Sequence, residues 1–456
     1  MSSFAKARAQ KCVGPDDICS EHLIYAHAKL HIFLSLVFNT CLIHGYLPDE
    51  LMRTIIVPII KDQKGVITDV NNYRPIAINS PFSKVIEHVI LNSFKEMLTS
   101  NDHQFGFKRK HGTDFCVFSL KQIIDYYNSN STNVYACFLD ASKAFDKVNH
   151  FHLFKQLLHR GIPVIFVRLL FYWYRNQKCA VRWGHYVSND FMVTNGVRQG
   201  SVLSPILYNV FIEQLSVLIL ESGVGCKING MLLNHLFYAD DSVLLAPTPT
   251  SLQKLLNVCE DFSRNQELFF NVEKTKCVMF HCKLFNNVKA PTMILNGDIL
   301  KFVKEVKYLG MFLVHDSSDM EDMKRQMCCF YSRGNTLIRK FRCCTDTVKT
   351  EIFKTFVSNM YGSVLWCSFT KAACNKLRVS YNNVLRYLMG IAPRESISNN
   401  FVCRRLFTFT AMWRNYITKF MDRVDHSDNS IVSTICNSLF FSIQSKLHMF
   451  WTKLVL

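Results

Sequence analysis

The chain has 456 residues, too many for one hydrophobic core of ordinary size, so two or three subdomains are expected. Hydrophobic residues make up 49% and there are only 17 Gly and 11 Pro, which excludes a chain dominated by disorder. Lys and Arg number 53 against 35 Asp and Glu, and the resulting charge of +18 favours a polyanionic partner, nucleic acid first, with binding that falls as salt rises.

The 18 cysteines contain no C-x-x-C spacing, and the doublets Cys328-Cys329 and Cys343-Cys344 do not read as zinc knuckles. Cys116, Cys137, Cys179 and Cys226 sit inside apolar runs, where a thiol behaves as a small hydrophobe. A reducing compartment, cytoplasm or nucleus, and no structural zinc are expected. The N-terminus lacks the apolar centre of a signal peptide, and no membrane partner is expected.

In chain order, Glu21 to His44 has helical apolar spacing and Gly45-Tyr46-Leu47-Pro48 breaks it. The apolar stretch Leu30 to Leu47 is interrupted by His31, Asn39 and His44, which suits a buried helix better than a membrane span. Arg53 to Lys61 reads as a strand ending in a base, followed by a polar loop from Asp62 to Asn72. Asn71 to Ile78 is extended, with Arg74 held before Pro75, where helix is disfavoured. Lys61 and Arg74 thus flank one loop, as a hairpin gripping a triphosphate requires, although a solvated β-ribbon has the same pattern.

Further on, Val134 to Leu139 is an apolar strand running into Asp140, and a helix is expected from about Asp146 to Leu158. An acid at the end of a buried strand is costly unless something neutralises it. After the aromatic run Phe171 to Tyr174, Gly196 and Gly200 bracket Arg198 and Gln199, and helical spacing follows from Leu207 to Leu220. That loop is expected to bring its backbone close to a base or sugar rather than to pack. Asp240 and Asp241 then stand between the apolar runs Leu236 to Tyr238 and Val243 to Ala246, a hairpin with carboxylates at its tip. An exposed Asp-Asp turn is one explanation. The other is that the Asp140 strand lies beside the hairpin, so that three carboxylates converge on oxygen-seeking divalent ions, enough for two Mg²⁺.

Tyr73-Arg74-Pro75-Ile76, Gln104 to Phe107, Asp140 with Ala144-Phe145-Asp146, Gly196 to Pro205, Tyr238 to Asp241, Lys274-Thr275-Lys276 and Tyr308-Leu309-Gly310 occur in this order. Over roughly residues 12 to 315 the pattern resembles reverse transcriptases of non-LTR, LINE-type retrotransposons, and Gly14 to Ile18 resembles their opening motif. The resemblance implies an α+β fold of right-hand polymerase architecture, with fingers in 1–133, a palm with an antiparallel sheet in 134–315, and a helical thumb with a C-terminal extension in 316–456. It implies RNA-directed DNA polymerase activity on an RNA template, a DNA primer and dNTPs, with two Mg²⁺ ions, or Mn²⁺ in their place.

Residue by residue, the resemblance makes Asp140, Asp240 and Asp241 the metal-binding triad and the Ala141 carbonyl a further ligand. Phe145 matches the aromatic gate against a 2′-hydroxyl. Lys61 and Arg74 match residues that hold the triphosphate, and Gln199 and Gly200 match the loop lining the nucleotide and template. Lys274 matches the proposed general acid toward pyrophosphate, with Lys276 as its rival, and Tyr308, Leu309 and Gly310 match the primer grip.

Past residue 315, Met320 to Arg342 reads as a basic helix in the place of the family's thumb, residues 347 to 425 are helical without an evident role, and Ser438 to Leu456 reads as an amphipathic helix. No endonuclease precedes the opening motif and no acidic cluster suggests RNase H, so a piece of an element, a diverged copy or a domesticated gene is expected. The alternative function is a catalytically silent nucleic-acid-binding relic, which the departure Lys110-His111-Gly112 would suit. A group II intron maturase or an RNA-dependent RNA polymerase is a further alternative. Phe145 and the Tyr-Ala-Asp-Asp form oppose an RNA product.

Overall fold

The computed structural model describes residues 14–281, 289–392 and 394–455. The chain folds into two compact units, each built from separated stretches. The first takes in the chain up to Phe107, Ala141–Leu218 and Cys259–Phe270, and the second takes in Lys108–Asp140, Ile219–Val258 and Asn271–Leu456. Both combine helices with largely antiparallel sheets, as the α+β reading expects.

In the first unit, Thr54–Ile60 pairs antiparallel with Tyr73–Asn79 and parallel with Lys178–Trp183. Ile59 stands opposite Arg74, so the expected Lys61/Arg74 hairpin forms. The opening motif is structural here: Asp16 accepts the Ile18 N–H at 3.2 Å and the Ser80 hydroxyl at 2.5 Å. Ser80 in turn caps the helix Pro81–Ser93, where Pro81 fills the first-turn position that needs no N–H partner.

Two expectations need correction. The helix Ala28–His44 does end at Gly45, whose φ of 64° suits a glycine cap, but the helix is not buried. Its sequence is apolar nearly all round, and only a stripe including Leu34 packs, against Leu23 and Val85. Ile32, Phe33, Leu36 and Ile43 remain exposed. The helix expected from Asp146 begins later, at His150, after a 3₁₀ turn over Ala144–Lys147. Asn149 sets that start, its side chain accepting the N–H groups of Phe151 and His152.

In the second unit the strand order is Lys301–Phe302, Lys276–Phe280, Val134–Asp140, Asp241–Ala246 and His235–Tyr238. Val134–Asp140 lies at the centre, buried from Val134 to Leu139, which explains its unbroken apolar run. Cys116, Cys137 and Cys226 are core residues of this unit. The helix Thr113–Ser129 covers the sheet, and the last helix, Lys446–Val455, packs on that helix. Trp451 stacks on Phe118 with ring centroids 5.9 Å apart and donates its Nε1–H to the Val364 carbonyl at 2.7 Å. Lys446 pairs with Asp125 at 2.8 Å, and Ser445 donates to Gln122 at 2.7 Å. Among the described residues no helix is long and apolar enough to cross a membrane.

The tail is therefore part of the core. Trp451→Ala should cost about 3–5 kcal/mol, read as a lowered urea midpoint. Lys453→Ala, on the exposed side of the same helix, should stay within about 0.5 kcal/mol.

Candidate active site

The hairpin expected around Asp240 and Asp241 forms. Tyr238 pairs with Asp241, which leaves Ala239 and Asp240 as a two-residue turn. Ala239 sits at φ 57°, a left-handed conformation that costs a residue bearing a Cβ roughly 1–2 kcal/mol. Strain of this kind collects at functional sites. On its other edge the same strand pairs with the central one so that Asp241 stands directly opposite Asp140. The structure thus brings the three acids together. The Asp241 carboxyl is pushed up to about 6, first by packing around it and then by the charges of Asp240 and Asp140.

The end of the Asp140 strand is tied to the segment carrying Lys274. The Asp140 N–H donates to Thr275 Oγ1 at 3.2 Å, and the Asp140 carbonyl accepts the Asn271 N–H at 2.8 Å. Asn271 Oδ1 also accepts the Lys274 N–H at 3.1 Å, closing a turn that leaves Lys274 exposed. Lys276 begins the next strand, opposite Phe138.

Tyr308, Leu309 and Gly310 close the hairpin of Glu305–Tyr308 and Met311–Val314. Only the tip is available to a ligand. Tyr308 is buried against Phe138 at 5.1 Å, its hydroxyl 3.4 Å from Cys116 Sγ. Burial, Cys116 and the Asp241 charge hold that phenol well above its usual range.

In the first unit the side chains gather around Asp146. Gln199 Nε2 donates to Asp146 Oδ1 at 3.3 Å. Burial raises the Asp146 carboxyl, while Gln199, Lys143 and Lys61 pull it down. Lys61 also donates through Nζ to the Asn71 carbonyl at 2.8 Å, bracing its own loop. Arg74 is exposed, and Ala141 makes a single bridge to Phe270. Phe145 stacks on Tyr208, centroids 4.7 Å apart and planes 13° from parallel, and meets the edge of Phe107. Its ring is therefore fixed from two sides.

The glycine loop departs from expectation, because its close approaches are to this chain's own backbone. A Cβ on Gly196 would lie 2.8 Å from the Asp146 backbone, and one on Gly200 would lie 2.8 Å from the Ala77 carbonyl. Gln199 O accepts the Ala77 N–H at 2.6 Å. Arg198 turns inward to a buried ion pair with Glu87 at 3.2 Å and lies over the Trp173 ring at 4.7 Å. Glu87 also accepts the Ser201 hydroxyl and the Val202 N–H, so one carboxylate clamps the loop. Sequence reasoning missed Glu87. The signal was an acid on the buried face of the helix Pro81–Ser93, which it shares with Ser83, Ile86 and Ile90.

The donors at Asp140, Asp240 and Asp241 are all oxygens, which suits Mg²⁺ or Mn²⁺, and a cation would relieve the repulsion that raises Asp241. Among the described residues no three His, Cys, Asp or Glu side chains stand ready to hold an ion alone. An ion here would complete its shell with phosphate oxygens and water, as Mg²⁺ commonly does.

Residues 60–313 match the family model of reverse transcriptase (RNA-dependent DNA polymerase). The chain is 26% identical over 449 residues to the RNA-directed DNA polymerase from mobile element jockey of Drosophila funebris, covering 94% of this chain and 47% of that protein. It is 27% identical over 392 residues to the probable RNA-directed DNA polymerase from transposon BS of Drosophila melanogaster, covering 83% and 42%. The chain thus spans about half the length of these relatives. Telomerase from Candida albicans, solved with a fragment of telomeric RNA, is similar with a TM-score of 0.45 and 12% identity over 93% of this chain and 70% of that one.

Two predictions follow from the charges. Asp241, raised to about 6 in the fold, binds a proton there at a pH where the unfolded chain, with an ordinary Asp value near 4, does not. In EDTA the melting temperature should therefore rise as pH falls from 7 to 5, and Asp241→Asn should flatten that rise. Glu87→Ala leaves the Arg198 cation buried without its partner and should cost about 3–5 kcal/mol in thermal melts.

Proposed function

Because the chain belongs to the reverse transcriptase (RNA-dependent DNA polymerase) family, we propose that it adds deoxynucleotides to a DNA primer 3′-hydroxyl on an RNA template. The observation that carries this reading is the pairing of Asp241 opposite Asp140, with Asp240 on the adjoining turn. We assign the fingers to 1–133, the palm to 134–315 and the thumb with its extension to 316–456.

Asp140, Asp240 and Asp241, with the Ala141 carbonyl, are the groups that would hold two Mg²⁺ or Mn²⁺ ions. Bound there, such ions would make the primer hydroxyl a better nucleophile and neutralise departing pyrophosphate. The side chains do the rest. Lys61 and Arg74 reach for the triphosphate, Gln199 lines the nucleotide, and Lys274 supplies a proton to pyrophosphate. Phe145, fixed by Tyr208 and Phe107, bars a 2′-hydroxyl. The Leu309–Gly310 turn holds the primer end. Base pairing chooses the nucleotide, so the protein needs alignment and charge more than base readout.

Extension of oligo(dT) on poly(rA) with dTTP and Mg²⁺ tests the reading. Asp240→Asn should lower incorporation roughly 100-fold or more. Equal incorporation by both proteins, or none by either, would overturn it in favour of a silent nucleic-acid-binding relic. Phe145→Val should raise the use of rUTP relative to dTTP by about 10-fold, and unchanged discrimination would remove the gate assignment.

A further inference from the structure

The Leu309–Gly310 turn is an unfavourable one. Both residues are left-handed, φ 45° and 80°, and only the second is glycine. Two-residue turns with both φ positive favour Asn-Gly or Gly-Gly, so a Leu in the first place has to be held by contacts from outside. Those contacts come from Tyr361, which lies outside the stretch matched to the family.

The Tyr361 hydroxyl donates to the Leu309 carbonyl at 2.5 Å. With its one proton so used, it accepts from Thr113 Oγ1 at 2.7 Å. The ring lies against the turn, its Cε1 3.2 Å from where a Cβ on Gly310 would stand. Tyr361 is itself fixed. Arg325 donates to the Tyr361 carbonyl at 3.0 Å, and its guanidinium lies 5.8 Å from the centre of the Tyr361 ring. Arg325 is held in turn by both oxygens of buried Asp322, at 2.6 and 3.1 Å. Asp322 also accepts the Phe312 N–H at 3.1 Å, which returns the chain of bonds to the hairpin it supports. The loop before Tyr361 is braced as well, with Arg333 donating to the carbonyls of Phe356 and Asn359. At the base of the same turn, Tyr308 feels the charge of Asp241. Tyr308 also packs on Phe138, two residues before Asp140 in the central strand, so a shift of the tip is transmitted to the strand that carries the first acid.

We propose that Tyr361 is a positioning residue for the primer terminus, its hydroxyl setting the Leu309–Gly310 turn against which the 3′ end is aligned. This rests on the reading of that turn as the primer-holding element. It gives the region after the basic helix a role in the reaction: Arg325 and Arg333 spend their guanidinium groups on the 356–361 loop.

Single-nucleotide extension by the full chain, with 2-aminopurine as the primer's terminal base, tests both layers. Tyr361→Phe keeps the ring on Gly310 and removes the hydroxyl's two bonds, to Leu309 and to Thr113. It should raise KM for primer–template roughly 5- to 10-fold and change the 2-aminopurine fluorescence, with KM for dTTP unchanged and the melting temperature lowered only slightly. Gly310→Ala, which strains the turn directly, should move the same two readouts. If Gly310→Ala moves them and Tyr361→Phe does not, the role of Tyr361 fails and the reading of the turn stands. If neither moves them, the reading of the turn fails and the proposal with it. A lowered melting temperature with unchanged primer KM would mean that Tyr361 is only structural. Fluorescence decides the matter even where turnover is undetectable.

Discussion

Three like charges held at the ends of neighbouring strands in the middle of a sheet govern this molecule. Asp140 and Asp241 face each other across adjacent strands and Asp240 occupies the turn, so burial and the charges of Asp240 and Asp140 raise the cost of ionising Asp241. A fold gains nothing from that arrangement by itself. The surrounding structure accepts it and reinforces it: the central strand is apolar up to Asp140, Ala239 takes a left-handed conformation to keep the turn tight, and Thr275 and Asn271 fasten the end of the Asp140 strand. The repulsion is what a divalent ion and a substrate phosphate can turn into attraction.

Around the acids, the unit that contains them is braced from distant parts of the chain. Tyr361 reaches back 52 residues to Leu309, and Arg325 and Asp322 join that contact to the hairpin's own backbone. In the other unit Glu87 does comparable work for the Gly196 to Pro205 loop. Both cases place an ionic group behind a loop that has to keep one shape. A buried pair of this kind contributes little net stability, and its value lies in fixing one geometry.

The acids could be read from sequence because charge interrupted apolar strands, a break of pattern that local inspection detects. The hairpin carrying Lys61 and Arg74, and the helix stop at Gly45, were visible for the same reason. What escaped was whatever depended on partners far along the chain. A glycine pair looks the same whether it makes room for a ligand or for a neighbouring strand, and Gly196 and Gly200 make room for Asp146 and Ala77. The helix Ala28–His44 is apolar on every side, so periodicity could not tell which face packs. Tyr361 carries no local signal at all, since its meaning lies in the Leu309 carbonyl.

The contact between the first and last helices of the second unit bears on how the protein is made. Phe118, Gln122 and Asp125 wait for Trp451, Ser445 and Lys446, partners over 320 residues further along the chain. Domains tend to fold as units during synthesis, and contacts of such long range slow the process. The face of Thr113–Ser129 that receives Trp451 therefore stays uncovered until Lys446–Val455 has been synthesised, and the core beneath the acids is completed only then.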